Sequence, residues 1–119
     1  MQPIETVGGG PLIPRPERTP GALRAACTVV APDLLPAYDR VKDRALTEAV
    51  EHDSLKPVHA YLSHWAVLIE IERHPVMAKA YRRAEHLARI AATADEARGH
   101  LATASSLYRE AAASVRRAP

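Results

Sequence analysis

Apolar residues recur every three to four positions through most of the chain after residue 18, which is the spacing of helices that bury one face. Five such segments follow one another with short turns between them. The run 65–69 would also fit a buried strand, but the surrounding helical periodicity and the length of its segment favour a helix. The pattern therefore predicts an all-α fold, a compact bundle of about five short helices without strands.

Prolines and helix-capping residues indicate where each predicted helix begins and ends. Thr19 is a good N-cap for the first helix and Pro20 suits its first position. The later helices are predicted to begin at Asp33, Ser54, His74-Pro75 and the capping-box sequence Thr93–Glu96. The second and third should end near His52 and Arg73. Gly99 predicts frayed or kinked first turns in the fifth helix, and residues 116–119 are expected to be loose.

Two helices have apolar patterns that predict where the core lies. The second helix places Leu35, Tyr38, Val41, Ala45, Ala49 and Val50 on its buried side. The third carries two apolar stripes, one with Val58, Tyr61, Leu62, Trp65 and Ile69 and one with Ala60, Val67 and Ile71. A helix that is apolar on two sides is usually central in its bundle. Tyr61 and Trp65 are predicted to be core residues, and the alternative is an exposed anchor patch that a partner covers.

The first 18 residues differ from the rest of the chain. They contain four prolines and three glycines with few large apolar side chains. Such a stretch buries too little surface to offset the entropy of ordering. We predict a disordered or extended N-terminal arm over residues 1–18 and one helical bundle domain over residues 19–117.

Composition limits the cellular compartment and the classes of partner that we expect for this protein. The formal net charge of +2 is too small to indicate nucleic acid by itself. The single cysteine, Cys27, excludes a disulfide framework and indicates a reducing cytoplasm. No apolar run approaches the roughly 20 residues that a bilayer requires. We therefore expect a cytoplasmic protein without membrane contact.

Charge is unevenly distributed along the chain. Segment 33–53 has six acidic residues against three basic ones, whereas segment 75–92 has four basic residues against one acidic. The basic residues of the second segment are Lys79, Arg82, Arg83 and Arg89. They could contact phosphate or an acidic protein, or the two helices could simply complement each other or face water. Arg15 and Arg18 in the arm, together with Glu70 and Arg73, complete the candidate partner-binding residues.

The densest polar group is the sequence Glu70-Ile71-Glu72-Arg73-His74. Two carboxylates and a histidine could perform acid–base chemistry in a cleft. Glu70 and Glu72 are two positions apart, however, so on a helix they point in different directions. Glu70 and Arg73 are spaced for an exposed ion pair, and Glu72 is placed to hydrogen-bond within the bundle. His59 and His64 are five positions apart and do not share a helix face, so they do not form the pair typical of a metal site on a helix. We predict no metal site, cofactor or catalytic residue.

Several of these sequences together resemble a family of small helical actinobacterial proteins of unknown function. They are Thr19-Pro20, Leu23–Ala26, Ala31-Pro32, Leu35-Pro36, Trp65, Ile69–Pro75, Ala84-Glu85 and Tyr108–Glu110. The resemblance covers roughly residues 19–112, and Ile69–Pro75 is its most specific part. The family brings no catalytic residues. Some similar small proteins look like antitoxins of type II toxin–antitoxin pairs, which implies a protein partner.

Three functions remain open at this point. The first is a non-enzymatic protein-interaction module, antitoxin-like or a homodimer, that uses the arm and the basic face of the fourth helix. The second is a DNA-binding regulator that uses Lys79, Arg82, Arg83 and Arg89. The third is a small-molecule binder or enzyme centred on Glu70, Glu72 and Trp65.

Overall fold

A computed structural model describes residues 10–117 and confirms the all-α prediction for that part of the chain. The five α-helices are α1 (Pro20–Val30), α2 (Leu35–His52), α3 (Lys56–Glu72), α4 (Pro75–Arg89) and α5 (Ala94–Arg117). A short 3-10 helix, Pro32–Leu34, links α1 to α2. Residues 10–117 contain no strand.

Most helices begin where the capping residues predict. The hydroxyl of Thr19 accepts a hydrogen bond from the Ala22 N–H at 3.2 Å. Thr93 and Glu96 form the capping box, because the Thr93 hydroxyl accepts from the Glu96 N–H and the Glu96 carboxylate accepts from the Thr93 N–H, both at 3.1 Å. Asp33 and Ser54 are displaced from the predicted cap positions. Asp33 lies inside the 3-10 helix, and α2 begins two residues later without a side-chain cap. The third helix begins at Lys56, two residues after Ser54, whose hydroxyl accepts a hydrogen bond from the Lys56 N–H at 3.2 Å.

The fifth helix is longer and more regular than predicted. It runs for 24 residues through Gly99, and Arg116 and Arg117 belong to its last turn. The expectation that Arg116 and Arg117 are loose is therefore wrong, while residues 118 and 119 lie outside the described part. A continuous capped helix tolerates one glycine because its other positions favour helix formation.

Replacing Gly99 with alanine should raise the free energy of unfolding by about 1 kcal/mol, because alanine loses less backbone entropy in a helix. A Cβ atom at Gly99 would meet nothing within 4 Å, so no clash opposes the gain. The reciprocal change, Ala102→Gly at another exposed position of α5, should cost a similar amount. Urea unfolding measures both, and a loss of stability in Gly99→Ala would contradict the expectation.

The chain divides into two compact units, and the first spans residues 13–69. Its core is formed by α1, α2 and α3, and it contains three aromatic rings, one on α2 and two on α3. The buried members are Leu23, Ala26, Cys27, Ala31, Tyr38, Ala45, Tyr61, Trp65 and Ile69. The predicted core positions of Tyr61 and Trp65 are confirmed, since both are 3% exposed. Val50, predicted to be buried on α2, is instead 83% exposed.

Cys27 is fully buried in the first unit. Its thiol donates a hydrogen bond to the Ala31 carbonyl at 3.4 Å. The side chain is a free cysteine rather than part of a disulfide. It therefore fills core volume as a small apolar group would.

The second unit contains residues 70–117 together with residues 10–12. In it α4 packs along α5, and the buried positions on these helices are alanines: Ala78, Ala84, Ala104 and Ala111. Small side chains let two helices approach closely. Residues 90–93 form the short turn between them.

The described part of the N-terminal arm, residues 10–18, contains no helix or strand. Within the first unit, Ile13 packs against the aromatic core cluster. Within the second, the Leu12 N–H donates to the Arg73 carbonyl at 2.8 Å. The arm predicted over residues 1–18 is thus attached at Leu12 and Ile13, and residues 1–9 lie outside the described part.

Candidate functional site

The polar sequence at the end of α3 forms a buried ion-pair cluster. Glu70 is 3% exposed, and its carboxylate accepts from Arg73 Nε at 2.9 Å and from Arg73 Nη2 at 3.2 Å. His74 Nε2 lies 3.2 Å from the same carboxylate. The expectation of an exposed Glu70–Arg73 pair is therefore wrong. The helical spacing was predicted correctly, but the whole pair is removed from water.

Glu72 has a different partner. Its carboxylate accepts from Arg82 Nε at 3.1 Å and from Arg82 Nη2 at 3.1 Å, which ties the end of α3 to the second turn of α4. Glu72 is 6% exposed, which agrees with the prediction that its side chain forms hydrogen bonds within the fold. Arg82 was predicted to belong to a basic binding face, but its guanidinium is occupied by this ion pair.

These contacts bear on the chemistry that the two carboxylates can perform. Each is held by a guanidinium with two nitrogens, the strong charge-assisted geometry of a structural pair. Glu70 and Glu72 have separate partners, as their spacing predicted. Within residues 10–117, no group of three or more histidine, cysteine, aspartate or glutamate side chains could hold a metal ion. The Glu72–Arg82 pair holds the end of α3 against α4, and the Glu70–Arg73 pair lies at the end of α3.

The aromatic cluster of the first unit carries a buried hydroxyl chain. Tyr38 and Tyr61 share a hydrogen bond of 2.5 Å, and the Tyr38 hydroxyl lies 2.8 Å from the Pro20 carbonyl. The Trp65 ring contacts the Tyr38 ring edge-on, with centroids 5.1 Å apart. Burial raises the pKa of Tyr38 and of Tyr61 above the usual tyrosine value. Both phenols thus stay protonated and serve as hydrogen-bonding core groups.

The solvent-facing side of α4 combines basic and apolar residues. Four residues of α4 and its C-cap residue, Ile90, follow one another at intervals of three and four positions. We call them the α4 stripe: Val76, Lys79, Arg83, His86 and Ile90. All five are exposed, with Val76 at 68% and Ile90 at 62%. Arg89 is exposed beside the stripe. Within residues 10–117, the side chains of Lys79, Arg83 and Arg89 make no ion pair or hydrogen bond.

A family model described as a family of unknown function, DUF6247, matches residues 11–118. The chain belongs to the DUF6247 family. The match extends the sequence-based resemblance, which covered residues 19–112, into the N-terminal arm. No curated protein and no solved structure shows significant similarity to the chain.

The DUF6247 match includes every described residue of the candidate set. Ile69–Pro75, the most specific part of the resemblance, is also the segment with the buried Glu70, Glu72 and Arg73. In the arm, Arg15 is half-buried and Arg18 is exposed. The candidate residues therefore divide into a set in ion pairs, with the buried Glu70 and Arg73 and the exposed Arg82, and a second exposed set, with Arg18, Lys79, Arg83 and Arg89.

Sequence reasoning missed one surface feature of this DUF6247 chain. A shallow groove of about 240 Å³ lies between α2 and α3, with an apolar floor formed by Val41, Ala45, Pro57, Ala60 and Tyr61. Arg44, Glu48 and His64 form the rest of its lining. A groove depends on the distance between two helices, so no local sequence signal could have located it. Among residues 10–117, no helix has both the length and the apolarity to cross a membrane.

Proposed function

We propose that the protein is a non-enzymatic interaction module whose binding surface is the α4 stripe. The observation that supports this most directly is the exposure of two large aliphatic side chains, Val76 and Ile90, on either side of two cations without ion-pair partners in residues 10–117. Isolated exposed apolar residues are common, but an ordered stripe with charge between them is typical of a helix that contacts a partner. The partner surface that fits is acidic in the middle and apolar at both ends.

The other described candidates contribute less to this proposal. Glu70 and Arg73 form a buried ion pair with each other. The Arg82 side chain is 42% exposed, but its guanidinium is bound to the buried Glu72 carboxylate. Arg18 is exposed and remains a candidate contact from the arm. A paired guanidinium would have to leave its carboxylate before binding another group, which is costly when that carboxylate is buried.

An antitoxin-like role is the more specific form of the proposal. In this form the partner is a small toxin in the cytoplasm of an actinobacterial host. Its support is the resemblance of this sequence to small antitoxin-like proteins, together with a single buried thiol that suits a reducing compartment. Co-purification of the chain with the product of the adjacent gene tests it.

The native mass of the complex in the protein's own host tests the general proposal. The wild-type chain should be recovered in a species heavier than the 13.0 kDa monomer. The Lys79→Glu, Arg83→Glu variant should be recovered at a lower mass, because reversing both charges repels an acidic partner. The matched control is Arg109→Glu, Arg116→Glu, which reverses two exposed charges on α5. A wild-type chain recovered only as the monomer would contradict the proposal.

DNA binding is a second candidate, favoured by the unpaired side chains of Lys79, Arg83 and Arg89. Phosphate contacts make binding fall steeply with salt concentration. The informative variant is Lys79→Ala, Arg83→Ala. Arg82→Ala would be misleading because it also breaks the Glu72 ion pair. DNA whose mobility is unchanged at low salt would eliminate this candidate.

A further inference from the structure

A second helix presents a stripe with the same spacing as the α4 stripe. On α2, the exposed or half-exposed residues Pro36, Asp39, Asp43, Leu46 and Val50 lie at successive intervals of three, four, three and four residues. We call them the α2 stripe. The α4 stripe has the same four intervals. At 1.5 Å per residue, each stripe is about 21 Å long.

The two stripes are complementary in chemistry as well as in spacing. Both have apolar residues at their ends, Pro36 and Val50 on α2 and Val76 and Ile90 on α4. Between those ends the α2 stripe has two acidic residues followed by Leu46, and the α4 stripe has Lys79, Arg83 and His86. The heptad-like alternation of three and four is the spacing at which two helices keep one face in contact along their length.

The central position pairs opposite charges whichever way the helices run. Asp43 is the third residue of its stripe and Arg83 is the third of the other, so parallel and antiparallel alignments both place them opposite each other. Both are exposed, and neither makes an ion pair or a hydrogen bond within residues 10–117. Asp39 contributes less, because Arg24 already binds its carboxylate at 2.9 and 3.0 Å.

We infer that the partner of the α4 stripe is a second copy of this chain, bound through its α2 stripe. This inference rests on the proposed function, since it names the partner of the same α4 surface. The contact covers Leu46, which is 49% exposed, and Val50, which is 83% exposed, together with Val76 and Ile90. Burial of these aliphatic side chains favours association. The Asp43–Arg83 pair determines the register in which the two helices align.

Charge reversal and charge exchange test the contact. Sedimentation equilibrium of the purified full chain should show concentration-dependent self-association in the wild type. Asp43→Arg alone or Arg83→Asp alone should weaken association about tenfold or more, because each places like charges opposite each other. The double variant with both changes should recover association to within about threefold of wild type, since the pair is restored with exchanged signs.

Matched controls separate this effect from general changes in charge or folding. Glu51→Arg on α2 and Arg109→Asp on α5 reverse exposed charges outside the stripes and should leave association unchanged. Helical circular dichroism confirms that each variant folds. A double variant that associates no better than the single ones would overturn the inference.

Sedimentation of the purified chain and the native mass of the host complex together distinguish failure of the inference from failure of the proposed function. A wild-type chain that stays monomeric at about 1 mM overturns the self-association, because even a weak contact with a Kd of about 1 mM would be populated at that concentration. If the host complex is still lost on Lys79→Glu, Arg83→Glu, the α4 stripe binds a different protein and only the inference fails. If the purified chain is monomeric and the host complex is unchanged by Lys79→Glu, Arg83→Glu, both the inference and the proposed function fail.

Discussion

Replacing Arg73 with methionine should lower the free energy of unfolding by about 3 kcal/mol or more. Arg73 supplies two hydrogen bonds to Glu70, whose carboxylate is 3% exposed. Methionine fills part of the same volume but leaves a buried negative charge with fewer donors. His74, at 3.2 Å from the same carboxylate, offsets only part of that loss. Urea unfolding followed by circular dichroism measures the change.

The matched control for Arg73→Met is Arg24→Met. Arg24 also binds a carboxylate with two nitrogens, that of Asp39, but the two side chains are 45% and 38% exposed. Water solvates both charges when that pair is broken, so the loss should be much smaller. The double variant Glu70→Gln, Arg73→Met should recover part of the stability because no buried charge remains. Equal losses in Arg24→Met and Arg73→Met would show that burial does not govern the contribution.

Replacing Trp65 with alanine should cost about 3 to 5 kcal/mol, the usual range for removing a large aromatic side chain from a core. Trp65 is 3% exposed, and its ring packs against that of Tyr38 at 5.1 Å between centroids. The chain contains no phenylalanine and no other tryptophan, so this ring is the largest apolar side chain available to the core. Its removal also leaves a cavity beside the Tyr38–Tyr61 hydrogen bond.

Trp65→Phe separates the loss of the aromatic ring from the effect of the indole N–H. The Trp65 Nε1–H is buried without a hydrogen-bond partner among the described residues. Phenylalanine therefore removes an unsatisfied donor and keeps an aromatic ring, so its cost should be less than half that of alanine. A phenylalanine variant as unstable as the alanine variant would indicate that the indole nitrogen contributes a bond.

The positions of the helices could be predicted because their signals are local. A proline at the first position, a threonine cap or a capping box acts within one turn of the backbone, and α1, α4 and α5 begin where these residues occur. Asp33 misled the prediction because Pro32 and Pro36 accommodate a 3-10 helix before α2. The regularity of the first turns of α5 was underestimated because the cost of Gly99 is small beside the contribution of the 23 other helical positions.

Burial and pairing were harder to predict because they depend on what packs against each helix. The i,i+3 spacing of Glu70 and Arg73 is visible in the sequence, but no local pattern shows that both side chains are buried. Glu72 and Arg82 are ten positions apart on different helices, and only the turn between α3 and α4 brings them together. Val50 fits the apolar periodicity of α2, yet it faces solvent.

The buried thiol of Cys27 on α1 allows local unfolding of this protein to be measured directly. Cys27 is 0% exposed and is the single cysteine in the chain, so a thiol-reactive dye has one target. That target becomes reachable when α1 separates from the rings of its unit. The rate of dye attachment under native conditions therefore measures how often this part of the molecule loosens, without any engineered label.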